Sequence, residues 1–298
     1  MQEIGVNNYN LQVKKKRHKA LPLIIIVFMF ITACLFFDSY YRIVTTEYSL
    51  VYDNLPDAFD GFRIVVLSDI HAAVFGRNNE RLVARVRDTH PDIIAITGDF
   101  TDYHDKLPTN EQLVIAEALI LDLLPIAPIY YVTGNHEWAN GGVRELISMM
   151  ETHGVVILRN KYVHLESGGE KIILAGTEDP NGPADMIRPR DFIRSIRETE
   201  GDKFIVLLEH RNNRLPLYSE LGVDLMLCGH AHGGIIRLPF TDGLIGPDRD
   251  WLPTYTNGVY TMGKTNMVVS RGIGNHTGWP RLLNNPQIVV AILSGGVL

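Results

Sequence analysis

The chain is 298 residues long, 46% hydrophobic and 21% charged, which describes a folded protein with a sizeable core and excludes a disordered or fibrous polymer. A formal charge of −6 argues against a dedicated nucleic-acid binder, which neutralises phosphates with surplus Lys and Arg; no nucleic-acid partner is expected. Two cysteines without a CxxC pair exclude a disulfide scaffold, a thiolate zinc site and paired-cysteine redox chemistry, whereas 11 histidines stand out.

In chain order, Lys14-Lys15-Lys16-Arg17-His18-Lys19 precedes an uncharged apolar stretch from Ala20 to Phe37, which ends at Asp38. Its 18 residues just suffice to cross a bilayer as a helix rising about 1.5 Å per residue. A buried core helix would pass the same length test, but the one-sided basic flank favours a membrane segment or signal peptide. The basic end stays in the cytoplasm. The expectation is a cytoplasmic segment 1–19, a single-pass signal anchor 20–37 in the cell membrane, and everything beyond on the extracytoplasmic side. Two alternatives stay open: cleavage near Thr32-Ala33-Cys34, or lipidation of Cys34, because Ile31-Thr32-Ala33-Cys34 resembles a bacterial lipobox. Residues 1–19 carry five basic groups against Glu3, a local +4, so the remainder is distinctly acidic at −10.

Residues 38–60 read as a linker and 61–298 as one domain. β-Branched apolar runs bounded by Gly, Asp or Pro predict strands at Arg63–Ser68, Asp92–Thr97, Ile129–Val132, Lys171–Ala175, Phe204–Leu208 and Asp224–Leu227. Between them, Asn79–Thr89, Thr109–Leu124, Val143–His153, Arg190–Glu198 and Asn213–Leu221 carry helical spacing. Gly168-Gly169 marks a hairpin turn after Tyr162–Glu166, and Tyr260–Met262, Asn266–Ser270 and Gln287–Leu293 add late strands without helices between them. Such alternation predicts an α/β layered domain.

Chemistry-bearing residues gather where the predicted strands finish: Asp69-x-His71, Gly98-Asp99, Gly134-Asn135-His136-Glu137, His210 and Gly229-His230-x-His232. In open α/β sheets ligands bind at the carboxyl ends of strands, so five such ends converge on one crevice. In Asp69-x-His71 and His230-x-His232 the paired side chains point to one side of an extended backbone. With Asp99, Asn135 and His210 they make seven candidate O and N ligands, too many for one four-coordinate zinc and suited to two cations sharing a carboxylate. Imidazole with carboxylate and no thiolate favours Mn, Fe, Zn or Co.

These five ordered blocks resemble the calcineurin-like metallophosphoesterase family over about residues 62–293. The apolar N-terminus, His230-Ala231-His232-Gly233-Gly234 and Ser270-Arg271-Gly272-Ile273-Gly274-Asn275 look like its bacterial membrane-associated or exported branch. The resemblance implies an α/β, four-layer αββα sandwich of two mixed β-sheets flanked by helices, preceded here by a transmembrane helix. It further implies two divalent metal ions, one on Asp69, His71 and His232, the other on Asn135, His210 and His230, with Asp99 bridging. The implied reaction is hydrolysis of a phosphoester, a phosphodiester before others, by a metal-bridging hydroxide, with His136 assisting the leaving group and Asp69 counted with it as catalytic. Relatives often have a proline soon after the isolated ligand His; here His210 is followed by Arg211-Asn212-Asn213.

Beyond these blocks, Glu137 is expected to orient His136, and Tyr103, His104, Asn275 and His276 are kept as candidate substrate contacts. The remaining histidines read as surface or packing residues. The membrane segment points to a substrate that is lipid-linked or derived from the envelope. Two other readings compete with a general phosphodiesterase: a lipid-linked or nucleotide-lipid pyrophosphatase, and a non-catalytic metal-binding scaffold, against which retention of His136 and every ligand argues.

Overall fold

The computed structural model describes residues 14–103, 109–247, 249–275 and 280–296, with side chains from residue 21 onward. The elements in chain order are α1 (Lys14–Tyr41), β1 (Val44–Tyr52), β2 (Arg63–Leu67), α2 (Glu80–Arg87), β3 (Ile93–Thr97), α3 (Thr109–Leu123), β4 (Ile129–Val132), α4 (Asn135–Asn140), α5 (Val143–Thr152) and β5 (Val156–Ile157). They continue with β6 (Lys161–Ser167), β7 (Glu170–Gly176), α6 (Pro189–Glu200), β8 (Ile205–Leu208), α7 (Leu215–Glu220), β9 (Leu225–Cys228), β10 (Gly258–Met262), β11 (Thr265–Val269) and β12 (Gln287–Gly295).

Two six-stranded mixed sheets result, in the orders β1-β12-β2-β3-β4-β5 and β10-β11-β9-β8-β7-β6. β2, β3, β4 and β5 run parallel in the first, and β7, β8, β9 and β11 in the second. The period-2 alternation of each central strand decides its neighbours. Ile64 and Val66 face the second sheet and meet Leu174, Val206 and Leu227, while Val65 and Leu67 face outward under α2, α3 and α5. On the far side, Ile173, Ile205, Leu207 and Met226 pack against Phe192, Ile193 and Ile196 of α6 and Tyr218 of α7. The molecule is therefore a four-layer αββα sandwich with three apolar layers. Each fully buried Ile or Leu in them withdraws about 1.5–3 kcal/mol of apolar surface from water.

The N-terminal region differs from the expectation in two respects. α1 runs past both ends of the predicted 20–37 segment. The expected linker, 38–60, holds the foot of α1 and then β1, which pairs in parallel with β12 from Val44 opposite Gln287 to Tyr52 opposite Gly295. The sheet thus begins at residue 44; β1 has no continuous apolar run because, as an edge strand, it leaves Glu47 and Ser49 exposed and Thr45 half-buried.

α1 presents Leu21–Phe37 to the surroundings, with Phe28, Phe30 and Phe37 each about two-thirds exposed. Its length and composition over Leu21–Tyr41 suffice to cross a membrane. The foot of the helix is fastened to the sandwich: Asn285 Nδ2 donates to the Asp38 carbonyl at 2.8 Å, Arg81 Nη2 to the Tyr41 carbonyl at 2.9 Å, and Ser39 is fully buried.

Candidate metal centre and active site

Five strands deliver the site, and in each the chain turns sharply after the last ladder residue. β2 ends at Leu67 and passes into Ser68-Asp69-Ile70-His71; β3 ends at Thr97 before Gly98-Asp99; β4 ends at Val132 and Asn135 opens α4. From the second sheet, β8 hands over to Glu209-His210 and β9 to Gly229-His230-Ala231-His232. The loops are stitched across the sheets. Asp69 N donates to Gly98 O at 3.1 Å, His71 N to Asp99 O at 3.0 Å, and His230 N to the Asp69 carboxylate at 3.0 Å.

Backbone at these turns is unusual. Asp69, His71, Asp99, His230 and His232 all adopt positive φ, between 47° and 66°, where a non-glycine residue costs about 1–3 kcal/mol. The close approach of loops also requires glycine: a Cβ on Gly98 would lie 2.6 Å from Gly134 N and 2.7 Å from His210 Nδ1. A Cβ on Gly229 would run into Ser68 Oγ and Asp69 Oδ2.

The expected ligands come together in two groups that share one carboxylate. Ligand atoms of Asp69, His71, Asp99 and His232 all lie within 4.8 Å of one another, as do those of Asp99, His210 and His230. In the first, His71 Nε2 and His232 Nε2 face each other at 3.1 Å, with Asp69 Oδ1 3.3 Å from His232 Nε2. In the second, His210 Nε2 has Asn135 Oδ1 and His230 Nδ1 each at 3.1 Å and Asp99 Oδ2 at 3.2 Å. His210 Nδ1 lies 2.8 Å from the Thr97 carbonyl, to which it donates, so the Nε2 edge is left turned toward these acceptors. Lone pairs of an amide oxygen, a carboxylate and two imidazoles converging on one point call for a positive species there. This donor set, all N and O and free of thiolate, fits divalent cations of the Mn, Fe, Zn or Co type.

Electrostatics agree. Burial pushes Asp69 up to about 6, with the negative Asp99 adding to it against the pull of His210. Burial would also raise Asp99, but His210, His136 and His71 hold it well below the usual carboxylate range. Burial opposes a charge on His210, yet Asp99 and Asp69 lift it to about 10. A proton on His210 thus offsets the buried carboxylates where a cation would do so more fully. Burial, with the positive charge of His210 adding to it, drives the neighbouring His230 well below the ordinary value.

His136 stands beside the two groups with its Nδ1 2.8 Å from Asp102 Oδ1 and its Nε2 3.8 Å from Asp99 Oδ2. Burial disfavours its charged form, but the carboxylates of Asp99 and Asp102 outweigh this and raise its pKa. His71, Asp102 and His136 also form a tight group of their own. Asp102 was not singled out in the sequence; it lies three residues beyond Asp99 in Gly98-Asp99-Phe100-Thr101-Asp102, a second carboxylate in the same block.

Glu137 takes another role than expected. Its carboxylate does not orient His136; it accepts backbone N–H groups of Gly134 at 2.8 Å, Asp99 at 3.2 Å, Thr101 at 3.3 Å, and Phe100. It therefore braces the loop that carries Asp99 while Asp102 orients His136. Tyr103 lines the crevice, its ring centroid 4.5 Å from that of His136. Asn275 donates to Tyr40 Oη at 3.0 Å and lines a separate cavity at the foot of α1. His104 and His276 lie outside the described residues. The crevice is a cavity of about 220 Å³ lined by Asp99, Tyr103, Asn135, His136, His230 and His232, with Asn181, Arg211 and Pro247 completing its wall.

Comparison with known proteins places this geometry. The family model of calcineurin-like phosphoesterases matches residues 62–234. An uncharacterised metallophosphoesterase of Bacillus subtilis, YkuE, is 30% identical over 85% of this chain and 86% of its own length. One from Aquifex aeolicus is 28% identical over 86% of this chain and 93% of its own. A transmembrane protein with metallophosphoesterase domain from Danio rerio is 27% identical over 81% of this chain, which spans 55% of that protein. Among solved structures, the sulfate thiohydrolase SoxB of Thermus thermophilus superposes with a TM-score of 0.51 at 15% identity, over 82% of this chain and 58% of its own, a likeness of fold. The chain belongs to the calcineurin-like phosphoesterase family and is a metal-dependent phosphohydrolase.

Proposed function

We propose that the chain hydrolyses phosphodiester bonds in this crevice, with one cation held by Asp69, His71 and His232, a second by Asn135, His210 and His230, and Asp99 shared. The observation that carries the reading is the sharing itself: Asp99 belongs to both ligand groups, and His136, held by Asp102, lines the same cavity. When bound, two such cations supply the charge that holds phosphoryl oxygens and acidifies a water molecule. The chain's own residues do the rest. Asp102 accepts from Nδ1–H of His136, so the imidazolium presents Nε2–H toward the crevice, where it stabilises charge on the departing oxygen and protonates it. Asp99 and Asp102 raise its pKa against the cost of burial, so it holds that proton to higher pH than an ordinary histidine.

The test uses purified protein with Mn²⁺ and two chromogenic substrates, bis- and mono-nitrophenyl phosphate. Turnover of the diester should exceed that of the monoester, and His136→Ala should lower it about 10²–10⁴-fold with bound metal unchanged. Equal, negligible turnover by both proteins with metal bound would favour a scaffold.

The same reading places the enzyme at a membrane, with α1 crossing it once and the catalytic domain outside, acting on lipid-linked or envelope phosphates. In its support, the basic run opens α1 ahead of its apolar stretch, the apolar side chains of α1 are exposed, and the zebrafish relative is named a transmembrane protein. A C-terminal reporter that is active only in the cytoplasm should be silent; activity would reverse the orientation.

A further inference from the structure

β7 and β8 run side by side, and their ends set Asp179 and Arg211 next to each other at the rim of the crevice. The Asp179 carboxylate, 2% exposed, accepts Arg211 Nε–H at 2.8 Å and Nη2–H at 3.3 Å, together with the Asn181 backbone N–H at 2.8 Å. The Gly182 N–H donates to Asp179 O at 2.9 Å and closes the turn. One edge of the guanidinium is thereby fixed. Nη1 makes no hydrogen bond among the described residues, and both Arg211 and Asn181 line the 220 Å³ cavity alongside Asn135, His136 and His230. A planar cation held in one orientation beside the candidate ligands matches a phosphate in both shape and charge. His136 and the two ligand groups suffice for the phosphoryl group that the proposed reaction transfers, which leaves the fork spare for a neighbouring one.

We infer that Arg211, with Asn181, forms a subsite for a second phosphoryl group, so that substrates carrying two phosphoryl groups are taken in preference to those carrying one. The inference rests on the proposed phosphoesterase reading and names its substrate class. The second group is either the adjoining phosphoryl of an anhydride or a separate phosphate on the same molecule.

The experiment measures kcat and KM of the full chain in detergent micelles with Mn²⁺. Diadenosine diphosphate is compared with adenylyl-adenosine, and adenosine 3′,5′-bisphosphate with adenosine monophosphate. The wild type should favour at least one two-phosphoryl substrate, and whichever pair shows the preference identifies the source. Arg211→Ala should cut that selectivity ratio by about tenfold or more, chiefly through KM, the loss expected for a charge-assisted hydrogen bond. Arg211→Lys, which keeps a cation for Asp179, should recover part of it. Calorimetric binding of the methylene-bridged diadenosine analogue should weaken in parallel. If Arg211→Ala lowers both members of each pair by the same factor, or changes neither ratio, the residue only braces Asp179 and the inference falls. If the wild type hydrolyses none of the substrates, the proposed function fails instead, and equal analogue binding by wild type and Arg211→Ala would then overturn the subsite.

Discussion

The interior of the sandwich and the rim that carries its chemistry are built on opposite principles. In the interior, Val65, Ile94, Ile96, Leu174 and Val206 are fully buried, apolar and held in regular ladders. At the rim, just past the ends of β2, β3, β8 and β9, Asp69, Asp99, His210 and His230 are also buried but charged or polar, and three of these four adopt left-handed backbone. The interior supplies stability, whereas the rim consumes it by holding carboxylates and imidazoles away from water and in strained turns. That division explains why five loops can be fixed so closely: each hangs from a strand whose own place is settled by apolar packing.

The largest effect expected from breaking this division comes from Asp99→Asn. Losing the shared carboxylate should cost turnover about 10³-fold or more, as several kcal/mol of transition-state stabilisation disappear. The metal-free protein should lose less stability than a core substitution costs, because Asn tolerates the left-handed backbone and the imidazoles that hold the Asp99 charge can release their protons once it is gone. Differential scanning calorimetry checks this, and a drop as large as that of a core substitution would erase the distinction between rim and interior. The converse substitution, Leu174→Ala between the sheets, should lower stability by about 2–5 kcal/mol in urea unfolding while the folded fraction keeps its kcat.

A finer effect concerns pH. Asp99 and Asp102 raise the His136 pKa despite its burial, so the imidazolium, the form that presents Nε2–H, survives to higher pH than an ordinary histidine would allow. Asp102→Asn removes one of those charges and lets the pKa fall. The basic limb of the kcat/KM profile should therefore shift to lower pH; an unmoved limb would mean that Asp102 does not govern the proton on His136.

Much of the interior was legible because a buried strand writes its own signal. Ile93–Thr97 and Leu225–Cys228 are continuous apolar runs, and their alternation assigns each side chain to one layer. β1 was not legible, since its place depends on pairing with β12, more than 240 residues away in sequence, rather than on local composition. At the rim the residue types were legible and their partners were not. His136 announces itself in Gly134-Asn135-His136-Glu137, but only the fold shows that Asp102 orients it and that Glu137 turns away to cap the backbone of the Asp99 loop. Arg211 likewise acquires meaning only when β7 brings Asp179 alongside it.

The most direct test of the central claim, that Asp99 joins two cation sites into one hydrolytic centre, is a Mn²⁺ titration of metal-free full-length protein that records bound metal and bis-nitrophenyl phosphate turnover together. Wild type should reach full turnover only as occupancy approaches two ions per chain, and Asp99→Asn should fall short in both. Full turnover without metal, or none at two bound ions, would contradict the account.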